Sequence, residues 1–77
     1  MRVKYFKNDG TVLMRDNILL VGINSNKQVY FQRDNGIGDY VSNSSLTNEQ
    51  LKEFNNLLTR AGVFGYLDLT VLGIRFE

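Results

Sequence analysis

Leu46-Thr47-Asn48-Glu49-Gln50-Leu51-Lys52-Glu53-Phe54-Asn55-Asn56-Leu57-Leu58-Thr59-Arg60-Ala61-Gly62 is the stretch that decides the fold. Thr47 at an N-cap with Gln50 three residues on forms the T-x-x-Q capping box, which satisfies otherwise orphaned amides at a helix start. Leu46 before the cap and Leu51 at N4 can staple across it. Glu49 in the first turn and Arg60 in the last suit the helix dipole. Leu51, Phe54, Leu57, Leu58 and Ala61 recur at three- and four-residue spacing and make one apolar stripe. The spacing predicts a helix from Thr47 to Ala61 with Gly62 as its C-terminal stop. If Leu58 faces a core, Leu58→Ala should cost roughly 2–5 kcal/mol.

Upstream of the helix the pattern changes period. Turn signals recur at Asn8-Asp9-Gly10, Arg15-Asp16-Asn17, Asn24-Ser25-Asn26 and Asp34-Asn35-Gly36. Between them lie the strand-forming runs Arg2–Phe6, Thr11–Met14, Ile18–Ile23 and Gln28–Gln32. Short strands joined by short turns predict an antiparallel meander, and Asp9-Gly10 is its best hairpin signal. Ile18–Ile23 is apolar on both pleat faces, which predicts a central strand. In Gln28–Gln32, Val29 and Phe31 share one face and the polar residues share the other. Asp34–Ser45 reads as a loop in which Tyr40-Val41 adds a short strand. Downstream of Gly62, Leu67, Leu69 and Val71 alternate with Leu72, Ile74 and Phe76, which predicts one C-terminal strand apolar on both faces.

These elements make an α+β class. The expected architecture is a small, curved, mainly antiparallel sheet of about four to six strands, with one α-helix packed on one face in the order β-β-β-β-(β)-α-β. The expected core is Val3, Val12, Ile18, Leu20, Val29, Phe31, Leu69 and Val71 beneath the helix stripe. At 77 residues the chain is expected to be a single domain. Its apolar fraction of 43% argues against disorder throughout.

Composition narrows function more than motifs do. The chain has no His and no Cys. Ser-His and Cys-His nucleophiles, zinc–thiolate sites and disulfides are therefore outside its chemistry. The absence of disulfides favours an intracellular, cytoplasmic home. No apolar run reaches the ~20 residues of a membrane span, so the expectation is a soluble protein with no membrane association. Asn, Lys, Ile, Phe and Tyr make up 26 of the 77 residues, against one Ala and no Pro, a bias that suits an AT-rich coding sequence. The net charge of +1 conceals a basic first half and an acidic second half. Those halves either attract one another within the fold or form separate patches.

What chemistry remains lies in carboxylates and surfaces. Asp34 and Asp39 flank Asn35-Gly36-Ile37-Gly38 and could hold a divalent cation, although the spacing is not that of an EF-hand. Gly36-x-Gly38 is only a fragment of a phosphate loop, because the helix begins nine residues later. The bland reading, a polar connecting loop, is the stronger one for both. Asn43-Ser44-Ser45 matches a glycosylation sequon but reads better as a lead-in to the helix.

The leading expectation is a non-catalytic protein-binding domain needing no cofactor or metal, acting on a protein partner or as a homodimer. Its contact residues would be Leu72, Ile74 and Arg75 on a doubly apolar last strand, with Phe64 and Tyr66 just before it. A phage or mobile-element product that inhibits a host protein or defence system would fit the composition and size. The alternative is a small nucleic-acid-binding module in which Arg2, Lys4, Lys27 and Arg33 neutralise phosphates while Tyr5 and Tyr30 stack on bases. A small metal-dependent enzyme ranks third.

Overall fold

A computed structural model describes residues 1–33 and 39–76, with the side chains of Asp39, Val63 and Phe64 outside the description. Its order is β1 (Arg2–Lys7), β2 (Val12–Arg15), β3 (Ile18–Ile23), β4 (Val29–Arg33), β5 (Asp39–Val41), α1 (Asn48–Phe64), β6 (Tyr66–Asp68), a 3-10 turn (Leu69–Leu72) and β7 (Arg75–Phe76). The α+β class and the element order agree with the sequence reading. The strands, however, divide between two sheets. β2-β1-β6, with β7 also on β1, make the first, and β3-β4-β5 make the second.

The hairpins follow their turn chemistry. Asp9 Oδ1 accepts from Thr11 N–H at 2.9 Å, closing an Asx turn between β1 and β2. Hydrogen bonding from the Thr11 side chain, and then from its backbone N–H, holds the Asp9 carboxyl below its ordinary range. Between β3 and β4, Asn24 N–H donates to Gln28 O and Lys27 N–H donates to Asn24 O. Lys27 takes a left-handed φ of 60° to complete this three-residue loop.

The helix starts as its sequence dictates. Thr47 Oγ1 accepts from Gln50 N–H at 3.1 Å, and Gln50 Oε1 accepts from Thr47 N–H at 2.9 Å. Its end lies beyond the expected one. Gly62 stays helical, and Gly65 takes the left-handed cap at φ 66° with its N–H on Ala61 O. A glycine inside a helix costs only about 1 kcal/mol, so the later, fully formed cap prevails. Arg60 consequently lies outside the last turn. Phe54 and Ala61 are buried, while Leu51, Leu57 and Leu58 pack half-buried against the core.

The C-terminal chain is where the pattern reading fails. Tyr66 lies opposite Arg2 and Arg75 opposite Phe6, both in parallel register. Nine steps of this chain therefore run beside four of β1, and the 3-10 turn absorbs the surplus. In a 3-10 turn residues three apart eclipse, so Leu69 and Leu72 both turn inward and Val71 is left outside. Gly73 closes the turn at φ 68°. The expected core residues Val12, Leu20 and Val71 are exposed. Tyr5, Leu46, Leu67, Leu72, Ile74 and Phe76 are buried instead. β3, expected in the centre, is an edge strand of the second sheet.

One buried polar residue joins the sheets. Ser42 forms a bridge to Phe76, and its Oγ accepts from Val29 N–H and donates to Ser44 O. Ser42→Ala would strand a buried amide and should cost about 1–3 kcal/mol in denaturant unfolding. Within the helix, Phe54→Ala should cost roughly 3–5 kcal/mol, and half-buried Leu58→Ala under about 2 kcal/mol. The opposite ranking in chemical denaturation would place the helix face wrongly.

Candidate functional site

Alternation along β1 sends Val3 and Tyr5 into the core and turns Arg2, Lys4 and Phe6 outward. Cross-strand partners share a face, so the register fixes what surrounds them. Tyr66 lies beside Arg2. Asp68, Lys4 and Met14 form a second row. Arg75, Phe6 and Val12 form a third. The outward side of the first sheet thus carries Val12 and Met14 at 45% and 47% exposure, with Tyr66 and the half-buried Phe6.

Cations border this apolar surface. The Arg2 guanidinium lies 5.8 Å from the Tyr66 ring centroid, within cation–π range. It also faces Asp16 at 3.9 Å, an exposed pair of small energetic value. Arg75 reaches over the β1–β2 turn, where its Nη1 donates to Asn8 O at 2.9 Å. Asp68 is the one carboxylate within the three rows, and it is already engaged by Thr70 N–H and Thr70 Oγ1. The balance of the face is therefore positive.

The expected partner-binding residues separate. Tyr66 and Arg75 lie on this face. Leu72 and Ile74 do not, because the 3-10 turn and the bend after it place both in the core at 5% and 4% exposure. The Phe64 side chain lies outside the described residues. The alternative nucleic-acid set also separates. Arg2 and Lys4 are on the first sheet, whereas Lys27, Tyr30 and Arg33 belong to the second sheet and its turn. Tyr5 cannot stack on a base. It is 2% exposed and packed against Phe31 and Phe76, and Arg15 Nε reaches its hydroxyl at 3.4 Å. That bond raises the Arg15 pKa further. Tyr30 lies across Gly22, where an added Cβ would meet its hydroxyl at 2.9 Å. Asp34, Gly36 and Gly38 lie outside the described residues, as does the Asp39 side chain.

Val12, Met14 and Phe6 were not anticipated as surface contact residues. The Asp9-Gly10 hairpin carried the signal, since pairing across it sets Phe6 against Val12 and Lys4 against Met14. Among the described residues, no helix is long and apolar enough to cross a membrane. No family model matches the chain, and neither a curated protein nor a solved structure is similar to it.

Lys27 serves the turn. A left-handed backbone is costly for any side chain but Gly, so Lys27→Gly should stabilise the fold by about 0.5–1 kcal/mol. An unchanged or lower midpoint in urea would contradict that assignment.

Proposed function

We propose that this chain is a non-catalytic binding protein that captures another protein through the outward face of its first sheet. The observation that carries the reading is the pair of exposed, adjacent side chains Val12 and Met14, set beside Phe6 and Tyr66 and bordered by Arg2, Lys4 and Arg75. Large apolar side chains on a sheet face are a cost in water that a partner removes. Aromatic, Met and Arg side chains are the types enriched in contact cores. The matching surface is apolar at its centre and acidic around it, because cations at the rim speed encounter and select sign.

The dispersal of Lys27, Tyr30 and Arg33 away from Arg2 and Lys4 supports protein rather than nucleic acid as the ligand. An inhibitor of a host protein, encoded by a phage or mobile element, is one setting in which so small a binding face would suffice.

Affinity capture from a cell lysate, with and without nuclease, tests this. A stoichiometric protein should survive nuclease, and Met14→Glu should weaken its binding at least about tenfold, or 1.4 kcal/mol, with the far-UV spectrum unchanged. Capture that disappears with nuclease, or that Met14→Glu leaves intact, would overturn the reading.

A further inference from the structure

We draw no further inference here: the strongest candidate, the edge of the second sheet at β3 where Leu19 and Leu20 stand exposed, is an unpartnered apolar surface, and nothing in the structure shows what covers it.

Discussion

Three aromatic rings from distant parts of the chain hold the two sheets together. Tyr5 of β1, Phe31 of β4 and Phe76 of β7 meet with centroids 5.1 to 5.5 Å apart, and Tyr40 stacks on Phe31 at 4.8 Å. Tilted and edge contacts of this kind add to the apolar area that each ring buries. The triangle needs all three strands in register at once. β1 must direct Tyr5 inward, β4 must direct Phe31 inward, and the last strand must arrive beside Phe6–Lys7 so that Phe76 closes the group. A chain of this length buries a modest share of its surface, so the loss of one ring removes a large part of what holds it folded.

That requirement explains the interruption in the C-terminal chain. A continuous strand from Leu67 to Phe76 would carry Leu72, Ile74 and Phe76 on a different face from Leu67 and Leu69. The 3-10 turn changes the phase, so that Leu67, Leu69, Leu72, Ile74 and Phe76 all turn inward. Gln50 Nε2 donates to Leu72 O at 3.0 Å and ties the turn to the start of the helix. The Ser42 bridge does the same on the side of β5. The Gln50 bond pairs a carbonyl of the 3-10 turn, and the Ser42 hydroxyl pairs the buried Val29 amide beside the bridge to Phe76.

Some of this was legible in the sequence and some was not, for physical reasons. The helix start was legible because its cap, staple and stripe are local and agree with one another. The β1–β2 and β3–β4 hairpins were legible because their turns are local too. The place of β3 was not. Its five apolar residues, interrupted only by Gly22, read as a buried strand, since periodicity does not distinguish burial on both faces from an exposed apolar edge. The 3-10 turn was hidden for a related reason. Alternating apolar residues satisfy a strand pattern equally well, and only the register against β1 reveals the surplus chain. Of the candidate contact residues, Tyr66 and Arg75 come together with Arg2 and Lys4 because parallel pairing with β1 sets them side by side. Nothing within either segment alone encodes that.

The charge asymmetry has the same non-local character. A basic first half and an acidic second half could have neutralised each other across the core. Among the described residues the only ion pair is Arg2 with Asp16, and both belong to the first half. Glu49 and Glu53 stand exposed on the helix, while Arg2, Lys4 and Arg75 border the outward face of the first sheet. Lys52 and Arg60 are exposed on the same helix as Glu49 and Glu53, so the helix is balanced, whereas the rows of the first sheet set three cations against Asp68 and stay positive. Even with Asp16 beside Arg2 and Asp68 beside Lys4, the cations set around Val12, Met14, Phe6 and Tyr66 outnumber the carboxylates, and the apolar surface keeps a positive border.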